Sequence, residues 1–282
     1  MNFSTFQIGS FIISVGGIIL LIGLCISTLV LILTSRRKEL SVDFLSHNLP
    51  ALILTPLFFG RIGAFLQLYE IVEKKIAEQG LIHQITIFLK YFFSFQEGGF
   101  DSVWVVIGFI VTFAALAIWK KEPLLKWLDA FALPGILMVI FIHIAGFFSS
   151  WGYGKPVNED FIFAVSYDLP NVRFAGPIHP VQIYGAILFS ALFYGALQLW
   201  YKKIFSRKAW NPGVYFFSIL LMGSLINGFL EFFRGDSVQI IFEQVRMPQM
   251  ISFGVVFFSI IFLIIHTHEK HDGLFYQYVV KI

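Results

Sequence analysis

Long stretches of this chain are apolar almost without interruption, and the polar residues gather between them. A run of roughly 20 apolar residues is long enough to cross a hydrocarbon core of about 30 Å as a helix. Scanned with a window of about 19 residues, the pattern predicts seven spans, near 11–34, 47–69, 103–119, 128–149, 180–200, 213–233 and 250–267. A further stretch, "IHQITIFLKYFFSF" at 82–95, is too short to span and mixes polar with bulky aromatic residues, so it reads as an interfacial or re-entrant segment. The connection at 150–178 carries Pro, Gly, Asn and Asp punctuation and the alternating stretch "FIFAVSY", which predicts a small extracytoplasmic loop head or β-hairpin. No Lys or Arg precedes the first apolar run, so it reads as a retained span rather than a cleaved signal. With no internal repeat, the expected fold is an all-α integral membrane protein forming a single polytopic domain over 1–282.

Composition agrees with the pattern: of 282 residues, 57% are hydrophobic, 18% aromatic and only 13% charged. The net charge of +3 is small and the basic residues are scattered in loops, so nothing resembles a nucleic-acid footprint. Their distribution does predict an orientation. Loops after the first, third, fifth and seventh spans hold 12 Lys and Arg, against 7 in the loops on the other side, which by the positive-inside rule puts the N-terminus outside and the C-terminus in the cytoplasm. The single cysteine, Cys25, excludes an internal disulfide and a cysteine-rich metal site, and mid-span it reads as a small buried hydrophobe.

Ionisable residues at membrane depth are costly and usually face the bundle interior, so they are the first place to look for chemistry. The candidates are Arg61, Glu70, Asp129, His143, His179, Glu231 and Arg234. Arg61, flanked by glycines in "FGRIGAF", could equally be structural, pairing with backbone carbonyls or one carboxylate. Glu231 and Arg234 stand three apart and so share a helical face as an ion pair. Asp129 at the start of the fourth span is expected in an N-cap or helix-dipole role. Pro180 suits a first helical turn, placing His179, Gln182 and Tyr184 within about a turn and a half, with Gln182 on the face of His179 and Tyr184 partly away. His143 lies inside "IHIAGFFSSWGYGK", an apolar run with a glycine-punctuated tail, either as a working imidazole or as a satisfied buried histidine bonded to Ser or backbone.

Taken in order along the chain, "GRIG" at 60–63, "GG" at 98–99, Asp129, Gly154, "HPVQIY" at 179–184, "EFFRGDSVQ" at 231–239 and "QMIS" at 249–252 resemble the prolipoprotein diacylglyceryl transferases. The resemblance implies transfer of the diacylglyceryl group of phosphatidylglycerol to the lipobox cysteine of a prolipoprotein signal peptide, with release of glycerol phosphate and no metal or other cofactor. Such chemistry needs a lipid cavity open to the bilayer, cations for the phosphate and a group that helps the thiol ionise. Carried over residue by residue, it implies Arg61, Gly154, Glu231, Arg234, Gln182, Tyr184 and Gln239 as phospholipid-binding, and His143, Glu97 and His179 as catalytic.

The chain departs from the family pattern at several of these places. His143 stands where the family has an arginine, Ala145 a glycine, Gly146 an asparagine and Trp151 a glutamate. Asn227 stands for a second arginine, Gly223 for a tyrosine, Glu97 for a histidine and Gly16 for a first-span tyrosine. An arginine supplies a permanent charge and a fork matched to phosphate, which histidine and asparagine do not. Two functions therefore stand side by side: a divergent transferase, or a non-catalytic or differently specialised phospholipid-binding relative. A small transporter would need broken helices and usually paired repeats, and the sequence shows neither.

Overall fold

The computed structural model describes residues 5–8, 11–76, 85–86, 89–90, 92–93, 101–167, 172, 174, 176–204, 211–236, 240–241 and 245–268. Its described helices are α1 (Val15–Arg37), α2 (Val42–Ile76), α3 (Ser102–Trp119), α4 (Leu124–Ser149), α5 (Val181–Ile204), α6 (Val214–Leu230) and α7 (Met247–His268). Two short antiparallel ladders accompany them, β1 (Thr5–Ile8) with β2 (Phe11–Ser14) and β3 (Ile240–Ile241) with β4 (Val245–Arg246). Five helices carry stretches long and apolar enough to cross a membrane: Val15–Arg37, Val42–Leu66, Leu124–Ser149, Val181–Lys202 and Met247–His266. Trp104–Trp119 and Val214–Leu230 are shorter apolar helices. The protein is thus an all-α multi-pass membrane protein.

The seven expected spans each fall on one of these helices; α2 overruns its expected span of 47–69 at both ends, and the first span starts late. Residues 11–14, expected inside it, form β2 instead, because Ser14 takes extended geometry and its hydroxyl accepts from Gly17 N at 3.4 Å, starting α1 at Val15. Arg36 and Arg37 in the last turn suit the negative end of the helix.

The chain divides into two compact units, Ser41–Leu124 with Lys281–Ile282, and Met1–Leu40 with Leu125–Val280. In the first, α2 packs along α3. α2 carries Pro50 and Pro56 in its interior, which a helix in lipid tolerates when neighbours satisfy the freed carbonyls. Asp101 caps α3, its carboxylate accepting from Trp104 N at 3.0 Å, while its own N–H donates to Gly60 O at 2.9 Å. Of the segment expected to be interfacial, only six residues are described, each in short helical pieces at 85–86, 89–90 and 92–93.

In the second unit α6 lies against both α5 and α7, and the core joins Leu133, Ile136 and Ile140 of α4 to Phe189 and Trp200 of α5 and Tyr215 and Ile219 of α6. α1 buries only its small residues, Gly16, Gly23, Ser27, Thr34 and Ser35, while Leu21 and Leu29 are 63% and 62% exposed. That inversion of the soluble pattern is what lipid as solvent produces, since small faces let backbones approach closely. Cys25 lies on the exposed side of α1, not in the buried position expected for it, because the buried stripe is given to those smaller residues.

Asp129 corrects a second expectation. It sits in the second turn of α4 rather than at its start, and serves another helix. Gly213, in the left-handed region at φ 89°, begins α6 with no side-chain cap of its own, and Asp129 Oδ1 accepts from Phe216 N at 3.0 Å in its place. The other carboxylate oxygen binds Lys38 Nζ at 2.8 Å, tying the end of α1 to the start of α6.

Candidate functional site

α6 ends at Leu230, and the chain turns through 231–233 into a segment that runs beside the start of the 150–178 connection. Lys155 N donates to Phe233 O at 2.8 Å, Gly235 N to Tyr153 O at 2.9 Å and His179 N to Lys155 O at 3.0 Å. Three backbone segments therefore meet at Gly154, where a Cβ would lie 2.3 Å from His179 O, so no other residue fits. The described part of the connection consists of turns and isolated bridges, with Pro156 and Val165 both bridged to Ile178.

This turn assembles four charges. Glu231, with no exposure at all, takes Arg234 Nη1 on Oε1 and Arg246 Nε on Oε2, both at 2.8 Å. Asp236 takes Arg234 Nη2 at 2.9 Å and Arg246 Nη2 at 2.7 Å. Arg246 also donates to the carbonyls of Arg234 and Asp236, and its own N–H reaches Gln249 Oε1 at 3.2 Å, the reach-back half of a capping box at the start of α7. Burial works against the Arg234 charge, but Asp236 and Glu231 outweigh it and hold its pKa above the ordinary arginine value. The two guanidiniums and two carboxylates balance. The spacing of Glu231 and Arg234 revealed their pair in the sequence; Asp236 and Arg246 carried no such signal, because their contacts form only once the chain has turned back.

A guanidinium has five N–H donors. Arg234 commits three, to Glu231 Oε1 and to both oxygens of Asp236, which leaves two without a partner among the described residues. Arg234 also borders a cavity of about 150 Å³ whose other polar lining is His143, Gln182 and Asn227. His143 and Gln182 border a second, largely apolar cavity of about 340 Å³ between α4 and α5. Asn227, donating to Ser252 Oγ at 2.9 Å, borders a third of about 400 Å³ among α4, α5, α6 and α7. A small polar chamber thus adjoins two apolar ones.

His143 projects from α4 against α5 at Gly185, where a Cβ would stand 2.3 Å from its Cε1, and its ring stacks on Phe189 with centroids 5.5 Å apart. Among the described residues its ring nitrogens have no hydrogen-bond partner, so the satisfied-histidine expectation is not met. Gln182, 2% exposed, donates Nε2 to Trp151 O at 3.1 Å; among the described residues nothing donates to its Oε1. The Tyr167 hydroxyl from the head is likewise buried and interacts with this amide. Burial pushes the Tyr167 phenol up to about 12, with the Gln182 amide opposing, so it remains a hydroxyl at neutral pH.

The remaining sequence candidates separate. His179 Nδ1 lies 3.3 Å from Tyr184 Oη, and its ring packs edge-on to Phe161 and Phe233. Gln182, expected on the same face, turns the other way toward Trp151. The helical spacing misled because His179 precedes the helix. Burial lowers the His179 pKa, so the ring is neutral at pH 7. Arg61 belongs to the first unit, where it is 4% exposed and donates Nε to Phe92 O. Glu97 and Gln239 lie outside the described residues, and so do Gly98, Gly99 and the side chain of Glu70.

The fold and site define a class: a multi-pass helical membrane protein with a charged, partly polar chamber bordered by apolar cavities. The family model described as prolipoprotein diacylglyceryl transferase matches residues 4–265, and the chain belongs to that family. It is also similar to the phosphatidylglycerol–prolipoprotein diacylglyceryl transferase of Protochlamydia amoebophila (strain UWE25), with 27% identity over 175 residues, 60% of this chain and 46% of that protein. The chain spans about half the length of the curated relative it matches.

Proposed function

We propose that the protein transfers the diacylglyceryl group of phosphatidylglycerol to the lipobox cysteine thiol of a prolipoprotein signal peptide, in the bacterial cytoplasmic membrane. The observation that carries this reading is the chamber bordered by Arg234, His143, Gln182 and Asn227, with two guanidinium N–H groups left over among the described residues for a phosphate and adjoining apolar cavities for acyl chains. In the reaction the thiol gives up its proton, the sulfur bonds to the glyceryl carbon that carries the phosphate ester, and the carbon–oxygen bond breaks. The electron pair leaves with glycerol phosphate. In this reading His143 takes the thiol proton, a role supported by its ring bordering both the chamber and the α4–α5 cavity with no hydrogen-bond partner among the described residues. Arg234 stabilises the phosphate as charge grows on it. Positive charge in the loops supports an outside N-terminus and a cytoplasmic C-terminus, which a reporter fused to the C-terminus and active only in the cytoplasm tests.

A second reading, a phospholipid-binding relative without transferase activity, is favoured by one feature. The Arg234 charge is already matched by Glu231 and Asp236, and the positions of the family's two further arginines are His143 and Asn227. The experiment that separates the readings is purified protein in phosphatidylglycerol liposomes with a lipobox peptide. Lipidated peptide and released glycerol phosphate support the transferase. Lipid binding without either product supports the second reading, and gain of activity in a His143→Arg, Asn227→Arg double variant then shows that only those cations were missing.

A further inference from the structure

We infer that Ile162 and Phe163, at a turn in the 150–178 connection, form a membrane anchor that inserts into the headgroup boundary of the leaflet on their side of the bilayer. The inference rests on the multi-pass fold and is independent of the transferase reading. Two consecutive turns build this part of the connection: Phe161 N donates to Asn158 O at 3.0 Å, and Ala164 N to Phe161 O at 2.9 Å. The first turn has Glu159 and Asp160 at its corner, both exposed, as turn chemistry and water favour. The second has Ile162 and Phe163 there, 90% and 66% exposed. Neither offers the backbone freedom or side-chain hydrogen bonding that selects corner residues, so the turn itself gives no reason for them.

A run of ring contacts points to what covers the pair. Phe163 packs edge-on to Phe161 with centroids 6.0 Å apart, Phe161 to His179 at 5.2 Å, and His179 to Phe233 at 5.4 Å. His179 stands two residues before α5 and Phe233 three after α6, so the turn lies near the level at which both helices end. Phe229, in the last turn of α6 and 5.3 Å from Phe233, is exposed as well, and so is Phe232. The apolar corner thus continues the lipid-facing surface of the helices, and an exposed apolar patch in that position belongs to the bilayer. The peptide groups of the turn keep the insertion shallow, since unpaired backbone does not enter the hydrocarbon core. Gly154 of the same connection is bridged to Arg234, so anchoring the corner also holds the charged turn at headgroup depth.

The test puts a reporter at the corner, Phe163→Trp, in the full chain in phosphatidylcholine nanodiscs, with wild type as the background for the native tryptophans. The added emission is expected to be blue-shifted, quenched by phosphatidylcholine brominated near the headgroup end of its acyl chains, and little affected by aqueous iodide. Emission typical of water, quenched by iodide and not by the brominated lipid, overturns the anchor. Emission that is wet in the disc and becomes shielded only on adding a lipobox peptide, or only in discs that hold two copies, also overturns it and assigns the pair to that peptide or to a second copy. A variant without the reporter reads the same contact. Val165 N and Ile178 N each donate to the other's carbonyl, at 3.1 and 3.0 Å, so their hydrogen exchange reports how firmly the connection is held. Ile162 packs on little protein, so in nanodiscs Ile162→Ser is expected to speed that exchange roughly fivefold or more through the loss of lipid contact. Exchange equal to wild type overturns the inference.

Discussion

Arg234 carries the functional claim, and its neighbours set how it can act. Glu231 and Asp236 hold the guanidinium through three of its N–H groups and cancel its charge at a distance. On the proposed reading such a site holds a phosphate by geometry more than by long-range attraction. Arg246 is the other half of the device, and Glu231 is fully buried between the two. Removing one partner of a buried ion pair strands a charge, so Arg246→Met is expected to cost about 3–5 kcal/mol, read as a lower thermal midpoint in detergent. Lys at the same place is expected to recover little, since one ammonium cannot replace a fork that contacts Glu231, Asp236 and two carbonyls.

His179 adds a pH dependence at the same scale. Its folded pKa lies below the ordinary 6.5, so between the two values the unfolded chain binds more protons and stability rises with pH. The contribution is present above about 6.5 and is lost as pH falls toward the folded value. His179→Asn is expected to flatten the fall in melting temperature between about pH 7 and pH 5. Legibility at this scale followed distance along the chain. The three-residue spacing of Glu231 and Arg234 was readable, whereas Arg246 on Glu231, His143 on Gly185 and Tyr167 over Gln182 depend on folds of the chain that no local pattern encodes.

Among the elements, the helices themselves were legible because lipid requires about 20 apolar residues per crossing and hides none of the signal. Their ends were less so, since a cap is a matter of one side chain. Ser14 starts α1 four residues later than hydropathy suggested. The start of α6 shows the same limit more strongly, for its cap is borrowed: Asp129 on α4 answers the Phe216 N–H that Gly213 cannot. Asp129→Asn keeps an acceptor but gives up the Lys38 pair, so it is expected to cost about 1–3 kcal/mol, and Asp129→Ala more. Thermal unfolding of both variants beside Lys38→Met checks this; equal stability in all three would mean the tie among α1, α4 and α6 is idle.

For the molecule as a whole, family membership is secure while the chemistry turns on a few positions. The resemblance to the family covers Gly154, Gln182, Glu231, Arg234 and Gln249, and implies that His143 and Asn227 stand where the family has arginines. Losing one well-placed electrostatic donor costs on the order of 100- to 1,000-fold in rate, so a working enzyme of this form is expected to be slow. Arg234→Gln is expected to lower what remains by a further 100-fold or so. The most direct measurement is glycerol phosphate released from phosphatidylglycerol liposomes containing the purified protein and a lipobox peptide. The expected result is release in step with thioether-linked diacylglyceryl peptide, and its loss in Arg234→Gln; no release above the protein-free rate, with phosphatidylglycerol nonetheless bound, would contradict the transferase assignment.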